Sequence, residues 1–169
     1  LPDFLQKLIF KSEKRKVIRF LEKELETLES LKGKKISAPS ELQHVVIIPH
    51  VKEPKALLHE TMQKLAEQTF NTKQINIVLA AEAADPNGIK VSEELKDEFK
   101  SVFNNIWITS HEQQPYDVIG KSSNMNWAGR VAHKIITEKG WDLKKVLLTS
   151  CDADSKFQPH YFSMLSYYF

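Results

Sequence analysis

Two aspartates stand two residues apart just after an apolar run: Val146-Leu147-Leu148-Thr149-Ser150 leads into Cys151-Asp152-Ala153-Asp154. A buried strand delivers such a pair to one place, where both carboxylates can converge on a hard cation, Mg²⁺ or Mn²⁺. That cation would bridge to a diphosphate and neutralise the charge that develops on it as a leaving group. The same spacing also suits a turn whose carboxylates cap a helix, and the pair alone does not choose between the two. Upstream, Gly120-Lys121-Ser122 combines a glycine, a cation and a helix start, which together favour an anion. It is not a phosphate loop of the G-x-x-x-x-G-K-[ST] type. The first glycine of that pattern falls on Pro115, which has no amide hydrogen to donate. The plainer reading of Lys121 is an exposed cation on a helix cap.

Acids also occupy the other loops that follow apolar runs. Glu53 lies in PHVKEP (49–54), and Glu82 and Asp85 lie in AEAADPNG (81–88). Taken singly, each suits a solvated loop. The six histidines show no metal-ligand spacing, so no zinc site is predicted. Cys151 reads as a small buried filler, and one cysteine cannot form an internal bridge. Neither G-x-S-x-G nor G-x-G-x-x-G occurs, which removes the main signatures of serine hydrolases and dinucleotide binders.

Four elements must position these loops. Runs rich in β-branched residues at 44–48, 75–80, 106–109 and 146–149 predict buried parallel strands. Helical spacing between them predicts helices over 55–68, 91–103 and 123–139, with another starting after Pro159. Strand, helix and strand recur at roughly thirty to forty residues, the length of a βαβ unit. The expected fold is therefore α/β, a three-layer, mostly parallel, Rossmann-like sheet with ligands at the carboxyl ends of its strands. Before it, residues 3–31 predict a long amphipathic helix with Ile18, Leu21, Leu25 and Leu28 on one stripe, and 32–43 reads as a linker.

Composition narrows the function classes. At 169 residues, with 41% hydrophobic and 27% charged, the chain reads as a globular domain needing no disulfide or metal staple. Residues 1–38 hold ten Lys/Arg and six Asp/Glu, a net of +4, so residues 39–169 carry −2. Residues 1–38 are thus expected to form a basic helix and linker, and residues 39–169 a separate ligand-binding body. A mildly acidic body is a poor grip for nucleic acid. The basic helix, with Phe4, Leu5, Leu8 and Ile9 beside Lys11, Lys14, Arg15, Lys16 and Arg19, suits an anionic membrane surface or a docked, solvated helix. The aromatic ending, Tyr161 to Phe169, has no stop signal, and the expectation is a piece of a larger fold.

Taken together, HVVIIPHVKEP, IVLAAEAAD, IGKSSNMNWA and SCDADSKFQPHYF, in that order, resemble the family-two glycosyltransferases. The likeness covers about residues 44–165 and is nearest to membrane-associated, polysaccharide-type members. It implies the GT-A fold and an inverting transfer from a UDP- or GDP-sugar to a saccharide or lipid-linked acceptor. It also implies a site on the cytoplasmic side of the cell membrane. Pro49, His50 and Glu53 would line the nucleoside pocket. Glu82 and Asp85 would face the base, Lys121 would reach the diphosphate and Asn126 would brace the pocket. Asp152 would touch the donor and share Mn²⁺ or Mg²⁺ with Asp154. The catalytic base of such enzymes follows the Asp-x-Asp strand and is expected beyond Phe169, which makes this chain the donor-binding half. Two other readings stay open: a sugar-phosphate nucleotidyltransferase, disfavoured by the lack of glycine in PHVKEP, and a non-catalytic nucleotide-binding or scaffolding domain.

The basic helix yields a first prediction. The full chain should bind anionic vesicles more strongly than the chain shortened to begin at residue 39, and salt should weaken the difference. Each basic residue near such a surface contributes on the order of 1 kcal/mol, and the field decays within a Debye length. Equal vesicle binding by the two proteins in a flotation assay would refute it.

Overall fold

The computed structural model describes residues 3–33, 37–115, 117–118 and 120–169, with side chains from residue 11 onward. The chain divides into two compact units, Leu1–Ile36 and Ser37–Phe169. In the first, helix α1 runs Asp3–Leu31, the extent that its periodicity predicts. Its stripe of Ile18, Leu21, Leu25 and Leu28 is exposed, and no second element of its own unit covers it among the described residues. The side chains of Phe4, Leu5, Leu8 and Ile9, part of the membrane-surface expectation, lie outside the described residues. So do residues 34–36 of the expected linker. Among the described residues no helix is long and apolar enough to cross a membrane.

The second unit is α/β, with four parallel strands and helices on both faces. In chain order it runs β1 (Gln43–His50), α2 (Lys55–Ala66), β2 (Ile75–Glu82), α3 (Gly88–Phe99), β3 (Ile106–His111), α4 (Lys121–Glu138), β4 (Val146–Ser150) and α5 (Tyr161–Tyr168). The strands lie in the order β3-β2-β1-β4, and every pairing is parallel. The chain steps outward from β1 to β3, then crosses back to place β4 on the far side of β1. Right-handed crossovers in opposite directions put their helices on opposite faces. Accordingly, Val46 and Ile48 of β1 pack with Leu58 and Met62 of α2 and with Leu95 and Phe99 of α3. Val45 and Ile47 face the other way, onto Ala128, Ala132 and Ile136 of α4.

Burial explains why the strands read as continuous apolar runs. In β1 every residue after Gln43 is buried, and β2 is buried up to Glu82. Strand β4 is covered unevenly: Leu147 and Thr149 are buried on one face, while on the other Val146 packs against the Val45 and Ile47 cluster and Leu148 is exposed. Helix α3 starts and ends earlier than its apolar spacing predicts. The helix stops at Phe99, but Phe103 still packs into the same cluster from the connecting turn. Helix α5 contributes one buried anchor, Phe162, and leaves Met164 and Tyr168 exposed, as is Phe169 just after it.

His44 is an unusual member of this core. It is fully buried, meets the rings of Phe70 and Phe162 edge-on at 4.8 and 5.0 Å, and places Nε2 2.8 Å from the Ser166 hydroxyl. Among the described residues its Nδ1 has no partner. Burial therefore pushes its pKa down to about 4, because the cation would lose its hydration without gaining a counter-charge. Between the unfolded value near 6.5 and about 4, the unfolded chain binds a proton that the folded chain refuses. Stability is expected to fall as pH drops through that window, by on the order of 3 kcal/mol. Urea denaturation at stepped pH should show this loss in the natural chain and a flatter profile in His44→Phe; parallel profiles would contradict it.

Candidate functional site

Strand β1 pairs with β4 only as far as Ile47 opposite Ser150, whereas its pairing with β2 continues to His50 opposite Ala81. Beyond Ile47, β1 and β4 part. The last bond across the gap is Cys151 N–H donating to the Ile47 carbonyl, 3.1 Å. Pro49, which has no amide hydrogen, sits where β1 has lost this neighbour, a position that a sheet tolerates. In doubly wound sheets this reversal of strand order opens the crevice that takes ligands. All four loops singled out from the sequence emerge at this end of the sheet.

The loop after β1 is held by acids. Lys52 adopts a left-handed conformation, φ 60°, and its amide donates to Asp85 Oδ2 at 2.9 Å. The other Asp85 oxygen accepts from Asn87 N–H at 3.1 Å. These two amides hold the Asp85 carboxyl below its usual pKa, with His50 and Lys52 adding to the effect. A side chain at Gly88 would come within 3.2 Å of Asp85 Oδ2, so glycine there lets the carboxylate approach. The Glu53 carboxylate accepts the Val51 amide within the same loop. His50 is buried with Nε2 2.9 Å from the Ser92 hydroxyl of α3. Burial lowers its pKa, and the charges of Glu53 and Asp85 partly counter that.

Glu82, at the end of β2, is engaged sideways. Its carboxylate lies 3.1 Å from Nδ1 of His111, at the end of β3, whose Nε2 lies 3.1 Å from Asp117. Asp117 also accepts from the Gln114 amide at 2.8 Å. The imidazole is thus clamped between two carboxylates and ties the β3–α4 loop to the sheet. Sequence spacing did not reveal this role, because His111 and its partners come together only through the register of β2 and β3, in which Glu82 stands opposite His111.

The turn after β4 meets the start of α4. Ala153 is buried in the core, and its carbonyl accepts from Thr61 of α2 at 2.6 Å. Its two neighbours are therefore turned outward, and Asp152 and Asp154 are both exposed. Asp152 forms an ion pair with Lys121 Nζ, joining the Asp-x-Asp turn to the Gly-Lys-Ser turn. Burial raises the Cys151 thiol to about 11, so at neutral pH it is not a nucleophile.

Among the described residues, three of the clefts open around this end. One, of about 260 Å³, brings together Pro49, His50, Glu53, Glu82 and Lys121, five of the residues predicted to bind a ligand. Asp152 reaches it through Lys121. Asp85 lines a neighbouring cleft of about 400 Å³ that shares His50 and Glu53. Asn126 is exposed and lines a third, of about 700 Å³, with His111, Trp127 and Arg130. Asp154 lines none of the three. The asparagine in the first cleft is Asn124, buried in the first turn of α4, with Nδ2 donating to the Ala80 carbonyl at 2.9 Å. The helical period separates the two: Asn124 shares a face with Ala128, whereas Asn126 points outward.

Among the described residues no group of three or more His, Cys, Asp or Glu is placed to hold a metal by itself. Comparison with family models and with curated proteins finds no match to this chain.

The His111 clamp is open to test. Replacing His111 by Ala leaves two largely buried carboxylates without their shared partner, and such losses cost roughly 1–3 kcal/mol each. Hydrogen exchange over residues 112–118 should accelerate about tenfold or more, while α2 and β1 remain protected. Unchanged exchange in that loop would show that the clamp does not hold it.

Proposed function

We propose that the second unit binds a nucleoside-diphosphate sugar, as the donor for an inverting, metal-dependent glycosyl transfer. The observation that carries this reading is the meeting of Lys121 and Asp152 at the fork between β1 and β4. A cation from the start of one helix lines a cleft with Pro49, His50 and Ala84, and the first acid of the pair that follows one strand is paired with that cation. A diphosphate needs that combination. Lysine serves the phosphate as a point charge, and the carboxylates face it across a divalent ion.

The donor set fits such an ion in one particular way. Asp152 and Asp154 are exposed carboxylates flanking the core residue Ala153, and they offer hard oxygens with no third protein ligand among the described residues. Mg²⁺ and Mn²⁺ are commonly held by one or two carboxylates with the rest of the shell from phosphates and water. Asp152 and Asp154 would hold the ion, and its chemistry there is to neutralise charge on the departing diphosphate. Lys121 exchanges its internal partner, Asp152, for the phosphate. Pro49 and Ala84 provide apolar surface for the flat face of the base. His50, kept neutral by burial and fixed by Ser92, adds no charge to the cleft. The acceptor would be a saccharide or lipid-linked saccharide, with the basic α1 holding the protein at a membrane surface on its cytoplasmic side.

Calorimetry with UDP and GDP tests the reading. Binding should appear in Mn²⁺ and weaken at least about tenfold in EDTA, since charge-assisted contacts contribute about 1.5–3 kcal/mol. Asp154→Ala should remove most of that metal dependence. Lys121→Ala should weaken UDP by a similar factor and leave uridine unchanged. Equal affinity in EDTA and Mn²⁺, or equal losses for uridine and UDP, would refute the assigned roles.

A further inference from the structure

Three buried side-chain atoms lack a hydrogen-bond partner among the described residues: His44 Nδ1, Thr109 Oγ1 and Asn124 Oδ1. The first is sealed between aromatic rings in the core, and Thr109 lies within β3. Only Asn124 also lines one of the three clefts, the one that holds Pro49, Glu82 and Lys121. The residue is 2% exposed, and its amide nitrogen is committed to the Ala80 carbonyl at 2.9 Å. That bond fixes the amide plane and leaves the oxygen as an acceptor with nothing to accept. An acceptor buried without a donor is costly, and native proteins rarely keep one without a use.

The chemistry of the missing partner follows from the atom. A carbonyl oxygen takes a hydrogen-bond donor, so it cannot serve an ionised diphosphate, which offers acceptors only. The phosphate end of the cleft is marked by Lys121, three residues earlier on the same helix. The surface beside Asn124 includes Pro49, Val51 and Ala84, which suits the face of a ring. We infer that Asn124 Oδ1 accepts a hydrogen bond from the nucleoside half of the ligand, an N–H of the base or an O–H of the ribose. The inference rests on the nucleotide reading above and adds the residue that selects the nucleoside. A base with a ring N–H, as in uracil or guanine, satisfies the acceptor, and so does a ribose hydroxyl.

Analogues of UDP separate the two sources without altering the protein. In 3-deaza-UDP a C–H replaces the ring N–H at nearly the same volume, and 2′-deoxy- and 3′-deoxy-UDP each lack one hydroxyl. Calorimetry of the full chain in Mn²⁺ should show one of these binding roughly ten- to a hundredfold more weakly than UDP, because it leaves the acceptor buried and unmet. A loss with 3-deaza-UDP assigns the base, and a loss with a deoxy analogue assigns the ribose. Asn124→Ala should bind UDP and that analogue alike. Should this variant fail to fold, the Asn124 side-chain amide resonance in the natural chain should shift with UDP and not with that analogue. UDP binding with all analogues within twofold of it would overturn the inference and leave the nucleotide reading intact. A loss that persists in a folded Asn124→Ala would also overturn it. No binding of UDP at all would overturn both.

Discussion

Strand β1 is hydrogen-bonded on both sides as far as Ile47 and on one side only from Ile48 to His50. That difference in pairing organises the second unit. A parallel strand with two neighbours must be apolar on both faces, and β1 accordingly feeds both core clusters. Where β4 leaves it, β1 regains an edge, and a sheet edge can accommodate proline and present its end to a ligand. The reversal of strand order that separates β4 from the β1-to-β3 series also assigns α2 and α3 to one face and α4 to the other. The start of α4 and the end of β4 therefore arrive at the fork from different parts of the chain.

Four acids at that end have partners within the protein. Asp152 is paired with Lys121, Asp85 with two backbone amides, and Glu82 and Asp117 with the same imidazole. These pairs differ in kind. Asp85 and the His111 clamp are substantially buried or bonded to backbone, so they shape loops. The Lys121–Asp152 pair is exposed, with 44% and 71% of the two side chains accessible, so it contributes little to stability. A pair that costs little to separate is also one whose members are available to other charges. The acids that shape loops and the one left accessible to other charges are distinguished by this contrast rather than by residue type.

Glu82 illustrates how a residue read for one purpose can serve another. In the sequence it is an acid just past a strand, and the resemblance to family-two glycosyltransferases places it toward a base. In the fold it lines the cleft, and its carboxylate is also held by His111. The carboxylate that lines the cleft is thus coupled to the β3–α4 loop, which His111 fastens through Asp117. The loop bearing Gly120 and Lys121 and the acid at the end of β2 form one connected arrangement.

Local pattern was sufficient for the α/β class, the four strands, α1 and the loops that carry the acids. Each of these follows from hydrophobic period and turn chemistry within a short window, which tertiary contacts reinforce here rather than override. The window also sufficed to place Asp152 and Asp154 after a strand, because the apolar run over 146–149 ends just before them. Strand order was beyond its reach, because parallel partners far apart in sequence are chosen by packing of whole faces. With strand order went the fork, the clamp on His111, and the contact between Lys121 and Asp152, thirty-one residues apart. The choice between Asn124 and Asn126 was likewise tertiary. Both lie on α4, and only the direction in which that helix docks on Val45, Ile47 and Ala80 decides which one is buried beside the cleft.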